Sequence, residues 1–544
     1  MTAAVFKRSS LAVMMAVALA ACGGGGGGSS SNNNGGGSGG ETPVVSNCNN
    51  STSTSAACDL RMYQIMVESF VNGDDSINYG VGYGPSQHKG DLRGIINSLD
   101  YIKKLGVNAI WLTPVFDSCK DKVSDKKLAA TGYFACDFFN VDPNFGSNET
   151  LKELVDKAHE KGLYVFLDGV FGHVSSLGVT DDSPAGNKPP VRLSGSTTLD
   201  YADATNKAIN TAFFKEVATH YVTEYGIDGW RLDQAYQVPT AVWTEIRTAV
   251  EAAAKARKDK GEKWGTLGYM VAEVWQDQSS IANTAYGKSS APALLSAFNF
   301  PLRYGMVQAL GVEESGSAGN ASKLYADWND GAVYPDFAMP NLMLGNHDLV
   351  RFGDLLQRGK LAEPTDEAYW LRHKAAFSFM ASRSGPITFY YGEEIGDEVP
   401  GFAAKVSDST CASQGLCDDH VARSDAKIEG VTGFVANAAQ ADLRDNYLTK
   451  LLAVRAAHPA LYAGARTLLN KDSTQYVELK TAGTEKVLYL LNTGTSAITI
   501  TVATSKLGTV TELEDLMDGS LLTPSGSSLA IPMPALTGRI LLVK

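Results

Sequence analysis

Two stretches of sequence decide the fold: YVFLDGVFGH at residues 164–173 and GIDGWRLD at residues 226–233. Each is a short apolar run that ends in polar and charged residues, as a buried strand of a parallel sheet does. Similar runs recur on both sides of them. The predicted strands are residues 62–67, 108–113, 164–168, 227–232, 270–274, 294–299, 342–345 and 387–391.

Helical patterns separate these runs. Between the second and third, apolar residues recur at helical spacing, and Gly162 ends that helix. They are Leu151, Leu154, Val155 and Ala158. Eight strands that alternate with helices predict an α/β fold, a (β/α)8 TIM barrel over residues 59–460.

A different pattern begins near residue 461. Alternating runs at 475–480 and 486–491, with turns at Gly483 and Gly494, predict antiparallel strands. We therefore expect residues 461–544 to form a small C-terminal β domain, a β-sandwich.

The 544 residues carry a net charge of −12, from 47 Lys and Arg against 59 Asp and Glu. This balance offers no basic surface for nucleic acid or anionic lipid. We expect a neutral or small partner and a monomeric protein.

The N-terminus is similar to a bacterial lipoprotein signal. Lys7 and Arg8 precede an apolar run at 11–21, which is shorter than a membrane span and is followed by Cys22. We expect residues 1–21 to be removed and Cys22 to be lipidated. Residues 22–58, rich in Gly, Ser and Asn, would be a tether. The protein would then be anchored in the cell envelope through this lipid only, at the outer membrane, facing either the periplasm or the cell surface.

The six remaining cysteines fall as sequence neighbours and predict three disulfides in an oxidising compartment. The pairs are Cys48 with Cys58, Cys119 with Cys136, and Cys411 with Cys417. Zinc is the alternative, but no Cys-x-x-Cys spacing occurs to support it.

Polar residues follow four of the predicted strands, where the active site of a TIM barrel lies. They are Asp168 and His173; Arg231 and Asp233; Glu273; and His347 and Asp348. A single acid at a strand end is commonly a helix cap or turn residue. Four such clusters in order predict a site.

Two carboxylates on either side of a bond are what glycoside cleavage requires, and Asp233 and Glu273 fit. Asp348 could stabilise developing positive charge, and Arg231 could keep Asp233 ionised. Glu273 must start protonated, so we expect burial and nearby carboxylates to raise its pKa. Asp168 would be a supporting residue of this site.

These motifs resemble the alpha-amylase family of glycoside hydrolases. The resemblance implies Asp233 as nucleophile, Glu273 as general acid/base and Asp348 as transition-state stabiliser. It also implies substrate contacts, a stacking floor from Tyr133 and a short inserted B domain at about 174–207. The other implied contacts are His173, Arg231, His347 and Arg351.

The implied activity is that of a retaining hydrolase of α-glucosidic bonds, α-1,4 in starch, glycogen or malto-oligosaccharides, with no cofactor for the chemistry. Two alternatives remain. One is a transglycosylase or an α-glucosidase-type enzyme acting on short oligosaccharides, sucrose or trehalose. The other is a surface lipoprotein that binds glycan without cleaving it.

The sequence departs from the family pattern at several positions. Thr131 replaces a histidine, and Gly172 replaces an asparagine that binds calcium in the family. Tyr236 and Gln237 replace a Lys-His pair on the leaving-group side. Structural calcium could instead bind the oxygen-rich loop 72–78, although a solvated turn explains that composition equally well.

Tryptophans could suggest a sugar-binding path, but three of them lie within predicted strands or helices. We therefore expect Trp111, Trp230 and Trp243 to pack in the core. Trp275 follows Glu273 at the predicted rim, which makes it a candidate for the cleft.

Overall fold

The computed structural model describes residues 48–49, 55–80, 85–119, 129–325, 333–399 and 422–544. Several sequence predictions lie outside these residues: the leader 1–21, lipidation of Cys22, most of the tether 22–58, and the Cys411 and Cys417 pair.

Eight parallel strands form a closed barrel in which each strand pairs with its neighbours in chain order. They are β1 (Arg61–Ile65), β2 (Ala109–Leu112), β3 (Tyr164–Gly169), β4 (Gly229–Leu232), β5 (Tyr269–Ala272), β6 (Ser296–Phe298), β7 (Met339–Met343) and β8 (Ile387–Tyr390). The predicted (β/α)8 barrel is confirmed, and its strand ends differ from the predicted ones by at most three residues. The largest difference is at β7, which begins where Met339 pairs with Ser296 of β6.

Helices surround the barrel. The longer ones are α1 (Leu92–Lys104), α2 (Asn148–Glu160), α3 (Ala204–His220), α4 (Thr240–Asp259), α5 (Phe300–Leu310), α6 (Phe352–Arg358), α7 (Glu367–Ser382), α8 (Thr449–Ala457) and α9 (Pro459–Ala463). Side chains of Asp91, Ser147 and Asp203 accept hydrogen bonds from the first turns of α1, α2 and α3. These caps satisfy backbone N–H groups that have no partner within a helix.

Shorter segments complete the helical structure. The α-helical ones are Gln278–Ile281 and Ala438–Ala441, and the π-helical ones are Tyr221–Tyr225, Ala282–Tyr286 and Asp442–Leu448. The 3-10 turns are Ala56–Asp59, Val67–Ser69, Ala235–Gln237, Ala321–Tyr325, Glu393–Ile395 and Thr504–Lys506. No helix among the described residues is both long and apolar enough to cross a membrane.

The core confirms the predicted placement of three tryptophans, since Trp111, Trp230 and Trp243 are completely buried. Trp111 and Phe166 belong to one buried cluster that draws most of its side chains from the barrel strands. These side chains fill the barrel interior, as in other barrels of this kind.

Short hairpins and loops lie above the barrel. Strands Phe116–Asp117 and Asp137–Val141 pair, as do Gly287–Lys288 and Ala291–Pro292. Between β3 and α3 the chain makes an irregular excursion, in which His173 pairs with Thr198 and Arg192 with Leu199.

The C-terminal strands are antiparallel, as predicted. They are β9 (Ala465–Lys471), β10 (Gln475–Ala482), β11 (Glu485–Asn492), β12 (Ile498–Ala503), β13 (Leu513–Asp515), β14 (Leu521–Leu522), β15 (Ser528–Met533) and β16 (Thr537–Val543). A six-stranded sheet has the order β9-β10-β11-β16-β13-β14, and β12 pairs with β15. Apolar side chains of both sheets, including Leu490 and Ile531, form one cluster. The domain is thus a β domain with its own core.

The C-terminal domain is joined to the barrel by a buried charged contact. Arg383, which follows α7, donates to both carboxylate oxygens of Glu478 on β10, at 3.1 and 2.8 Å. The Tyr489 and Ser378 hydroxyl oxygens lie 3.0 Å apart across the same boundary.

Two of the predicted disulfides lie among the described residues. Cys48 pairs with Cys58, and Cys119 pairs with Cys136. The second bond joins the ends of the loop that carries Tyr133.

Candidate active site

The predicted polar residues meet at the carboxyl ends of the strands, around one guanidinium. Arg231 on β4 is completely buried and lies beside Asp168 of β3 in the sheet register. Its Nη1 atom is 2.8 Å from both Asp168 oxygens and 2.9 Å from Oδ1 of Asp233. Its Nη2 atom is 3.6 Å from Oε2 of Glu273. One cation therefore faces three acids.

Asp233 follows β4 and is nearly buried. While Oδ1 accepts from Arg231, Oδ2 accepts no hydrogen bond from the described residues. The Nε2 atom of His173 lies 3.9 Å from that oxygen. Asp233 thus has one oxygen bound to a cation and one that is available for a reaction.

Glu273 follows β5 and is also nearly buried. Its Oε2 atom accepts a hydrogen bond of 2.7 Å from the backbone N–H of Gln234. Burial raises its pKa to about 8; Asp233 and Asp348 add to the rise, while Arg231 and the Gln234 N–H oppose it. The direction of this shift agrees with the expectation from the sequence, and a pKa of about 8 favours the protonated form at neutral pH.

Asp348 follows β7 and is more open, with a quarter of its side chain exposed. Its Oδ1 atom accepts from Nη2 of Arg423 at 2.7 Å, and Oδ2 is 3.3 Å from Nε2 of His347. Burial would raise its pKa, but His347, Arg423 and Arg231 outweigh that effect and lower it. Asp348 is therefore ionised beside a protonated Glu273.

Tyr133 and His347 form a stacked pair next to these acids, with ring centroids 5.4 Å apart and planes 9° apart. The Tyr133 hydroxyl donates to Oδ2 of Asp168 at 2.8 Å, and it lies 2.8 Å from His347 Nε2. Burial lowers the pKa of His347 to about 3, so the ring is uncharged at neutral pH, and the charges that act on Asp348 at that pH are those of Arg423 and Arg231. The Gln64 side chain, 2.7 Å from His347 Nδ1, holds the ring in place.

His173 is buried beside Asp233. Its Nδ1 atom is 3.0 Å from Oε1 of Gln237, and its Nε2 atom is 3.1 Å from the backbone oxygen of Tyr133. The predicted site residues discussed so far therefore belong to one connected group.

Arg351 does not belong to this group, and the predicted sugar contact at this residue is not supported. Its guanidinium is buried, where it donates to the backbone oxygens of Tyr391 and Ala422 and to Ser424 Oγ. The ring of Tyr390 lies 4.9 Å away. Arg351 holds the segment that carries Arg423, because its bonding partners flank that residue.

Sequence reasoning missed Arg423, Gln64 and Gln234. A polar residue within the apolar run of β1 is a signal that could have identified Gln64. The sequence around Arg423 offers no such signal, because its contact with Asp348 depends on the path of the chain after β8.

The position where the family carries a calcium ligand does not fit a metal in this chain. Gly172 has no side-chain oxygen, and a Cβ atom added there would lie 2.3 Å from Oε1 of Gln237. The Gln237 amide fills the space that a longer side chain at 172 would need. The contacts in loop 72–78 are those of a turn: Asp74 accepts from Ser76, and Asn72 donates to Asp75.

Two exposed aromatic side chains belong to the segments that carry Glu273 and its hydrogen-bond donor Gln234. Tyr236 and Trp275 are each 43% exposed. Burial and the charges of Glu273 and Asp233 raise the pKa of Tyr236, whose hydroxyl donates to Oε1 of Gln234. Trp275 stacks on Phe300 with planes 10° apart, and its Nε1 atom donates to the Tyr304 hydroxyl. The prediction that Trp275 lies at the rim, in contrast to the three core tryptophans, agrees with this exposure.

A (β/α)8 barrel with a protonated carboxyl group and an ionised one at its rim defines the class as a glycoside hydrolase. The family model for the alpha-amylase catalytic domain matches residues 64–189 and 194–458. The chain belongs to the alpha-amylase family of glycoside hydrolases.

Relatives and solved structures agree. A cyclomaltodextrinase of Geobacillus thermopakistaniensis (strain MAS1) is 27% identical over 517 residues, which are 88% of this chain and 75% of that protein. An intracellular maltogenic amylase of Bacillus subtilis (strain 168) is 29% identical over 61% of this chain, and the match spans only 55% of that relative. The crystal structure of AmyP in complex with maltose is 50% identical, covers 90% of this chain and 97% of that one, and has a TM-score of 0.84. An AmyP variant in complex with maltotriose matches equally well.

Proposed function

We propose that the protein is a retaining glycoside hydrolase that cleaves α-1,4-glucosidic bonds in starch, glycogen or malto-oligosaccharides. The observation that carries this proposal is that Asp233 and Glu273, which both lie near Arg231, have different surroundings. Asp233 is hydrogen-bonded to the cation, whereas buried Glu273 has a pKa of about 8. One acid can then attack while the other donates a proton.

In the first step, the free Oδ2 atom of Asp233 attacks the anomeric carbon while Glu273 gives its proton to the leaving oxygen. The C–O bond breaks and a covalent glycosyl–enzyme ester forms. In the second step, Glu273, now a carboxylate, takes a proton from water as the water oxygen attacks the same carbon and releases Asp233. Asp348, which is ionised, stabilises the positive charge that develops in both steps.

We propose the retaining outcome because Oδ2 of Asp233 accepts no hydrogen bond from the described residues and can act as the nucleophile. In an inverting enzyme the second carboxylate would instead activate a water molecule held between the two acids. The floor formed by Tyr133 and His347 would carry the sugar at the cleavage point, and His173 would contact its hydroxyl groups. Each of these steps uses protein side chains and water, so we propose that the chemistry needs no metal or cofactor.

The α-glucan substrate is proposed from the relatives. AmyP was crystallised with maltose and, as a variant, with maltotriose. The names of two other relatives refer to cyclomaltodextrin and to maltogenic action. These are properties of those proteins, and they make maltoheptaose and soluble starch the first substrates to test here.

The test is a product time course from maltoheptaose, soluble starch, sucrose and trehalose, each supplied separately, with NMR of the first product to read its anomeric form. We expect shorter malto-oligosaccharides whose new ends are initially α. Glu273→Gln and Asp233→Asn should each lower kcat by about a thousandfold or more. Full activity of both variants, or an initial β product, would contradict the mechanism.

A second candidate function is glycosyl transfer, and the exposed faces of Tyr236 and Trp275 favour it. They belong to the segments that carry the proton donor and its hydrogen-bond donor Gln234, and we place them on the side where the leaving sugar departs and an acceptor arrives. An aromatic face binds a sugar ring but gives no such advantage to water. Transfer predicts products longer than maltoheptaose, and their yield relative to hydrolysis should fall in Trp275→Ala.

We also propose that the protein is held in the cell envelope by lipid on Cys22. The apolar run 11–21 before this cysteine supports the proposal, as do the disulfides Cys48–Cys58 and Cys119–Cys136, which suit an oxidising compartment. Expression with a radiolabelled fatty acid should label this protein, recovered from the membrane fraction. Cys22→Ser should abolish the label, and an equally labelled variant would overturn the proposal.

A further inference from the structure

A hydrogen-bonded bridge connects His173 to Glu273, on opposite sides of the site. It consists of Gln234, Tyr236 and Gln237. Nδ1 of His173 lies 3.0 Å from Oε1 of Gln237, whose Nε2 donates to Oε1 of Gln234 at 2.9 Å. The Tyr236 hydroxyl donates to that same Gln234 oxygen at 2.7 Å. The backbone N–H of Gln234 completes the bridge by donating to Glu273.

The backbone of Gln234 is unusual. It adopts a left-handed conformation with φ 39° and ψ 50°, which a residue other than glycine adopts only where its surroundings hold it there. This conformation directs the N–H at Oε2 of Glu273. Tyr236 and Gln237 both donate hydrogen bonds to the side-chain oxygen of Gln234, and these two bonds hold the residue in place.

The other end of the bridge depends on Gly172. A Cβ atom at this position would lie 2.3 Å from Oε1 and 2.6 Å from Cβ of Gln237, so a larger residue would displace the glutamine. Gly172 and Gln237 are therefore complementary. An uncharged amide stands beside His173, at the position where the family resemblance leads one to expect a calcium ligand.

We propose that the bridge of Gln234, Tyr236 and Gln237 positions His173 and Glu273 relative to each other, and that it does so in place of a metal ion. These are positioning residues, since they act through His173 and Glu273. The inference rests on the proposed function, because it takes Glu273 to be the proton donor.

The bridge can be tested through the dependence of kcat/KM on pH, because the backbone N–H of Gln234 favours the charged form of Glu273. The ionisable groups that face Glu273 are Arg231 and Asp233 from β4, Tyr236 after β4, and Asp348 after β7. None of these charges is removed by changing a glutamine. The basic limb of this profile is the fall in kcat/KM at high pH, as Glu273 loses its proton. If substitution of Gln234 or Gln237 shifts this limb, the shift therefore reports a change in the geometry of the bridge.

The experiment measures kcat/KM against pH on maltoheptaose, together with Tm, for Gln234→Ala and Gln237→Met. We expect each to lower kcat/KM about tenfold, as a misplaced catalytic group does, and to move the basic limb upward by about half a pH unit. Gln234→Gly should recover at least half of the shift seen in Gln234→Ala, because glycine adopts the left-handed conformation without strain. Gln357→Met, on α6, is the matched control and should leave the limb in place.

The bridge is refuted if Gln234→Ala and Gln237→Met keep the wild-type limb, or if adding Ca²⁺ restores it in Gln237→Met. A glycine variant that shifts as far as the alanine variant would refute the role of the backbone. If Gln234→Ala does not fold, Gln237→Met decides alone, because it keeps the side-chain length. A wild-type protein inert on all four substrates refutes the proposed function instead, so the two failures are distinguishable.

Discussion

Arg423 should set the acidic edge of the activity profile, and Arg423→Met is the change that tests this. Its Nη2 atom is 2.7 Å from Oδ1 of Asp348, and its Nε atom is 2.9 Å from the backbone oxygen of His347. The arginine therefore neutralises Asp348 and fixes the turn that carries it. Methionine keeps much of the side-chain volume and removes both the charge and the hydrogen bonds.

The size of the effect follows from this geometry. An opposite charge within about 4–6 Å lowers a carboxyl pKa by about 1 to 3 units. Because a quarter of the Asp348 side chain is exposed and solvent screens the pair, we take the lower end, about 1 unit. Asp348 must be ionised to stabilise a cationic transition state. Losing Arg423 raises its pKa, so activity should be lost at a higher pH as the solution is acidified.

The assay is kcat/KM on maltoheptaose between about pH 3 and about pH 10, a range that includes the pKa of Glu273 and the expected upward shift of the acidic limb. The acidic limb should move upward by about 1 unit, with kcat about 10- to 100-fold lower at its optimum. Arg539→Met is the control, because this arginine makes a similar 2.7 Å contact with Asp515 in the C-terminal domain. If the limb stays in place in Arg423→Met, or moves equally in the control, the electrostatic argument is wrong.

Three further predictions concern other parts of the molecule. In the wild type, kcat/KM should fall above about pH 8 as Glu273 loses its proton, and a rate that stays constant to pH 10, about 2 units above that pKa, would count against its role as proton donor. Glu478→Gln should lower the free energy of unfolding by about 3 kcal/mol in urea titrations, because buried Arg383 loses its charged partner, while kcat of the folded enzyme stays the same. Reducing Cys119–Cys136, which closes a separation of 17 residues, should cost about 3 kcal/mol and raise KM more than it lowers kcat, because the loop positions Tyr133. An unchanged KM after confirmed reduction would contradict the last prediction.

The barrel could be predicted because it depends on local patterns. Each strand is a short apolar run, and the ends of the runs at Asp168, Asp233 and Glu273 mark the same rim of a parallel sheet. Strand ends were less accurate, since they depend on pairing. Met339 joins β7 because Ser296 of the neighbouring strand is there to pair with it.

The acids of the site could also be predicted, because they follow directly from strands. The sequence pattern could not show which of two arginines, Arg351 or Arg423, contacts Asp348. Arg351 is close to Asp348 in sequence, yet its guanidinium points to backbone oxygens of another segment. Arg423 is 75 residues from Asp348 and nevertheless contacts it. Such contacts depend on how a long connection returns to the barrel, which no local pattern records.

Arg231 makes unequal contacts with the two acids that are proposed to react. Its Nη1 atom is hydrogen-bonded to Asp168 and Asp233, whereas Nη2 is 3.6 Å from Glu273, beyond a good hydrogen bond. At Glu273, burial outweighs the attraction of the cation and raises the pKa to about 8. Burial also raises the pKa of Asp168 to about 7, in spite of its two 2.8 Å contacts with Nη1. An arginine stays charged at every pH at which the fold survives, so its contacts with Asp233 and Glu273 differ in geometry and not in the charge of the cation. The orientation of this one side chain gives Asp233 a hydrogen-bonded cation and leaves Glu273 without one.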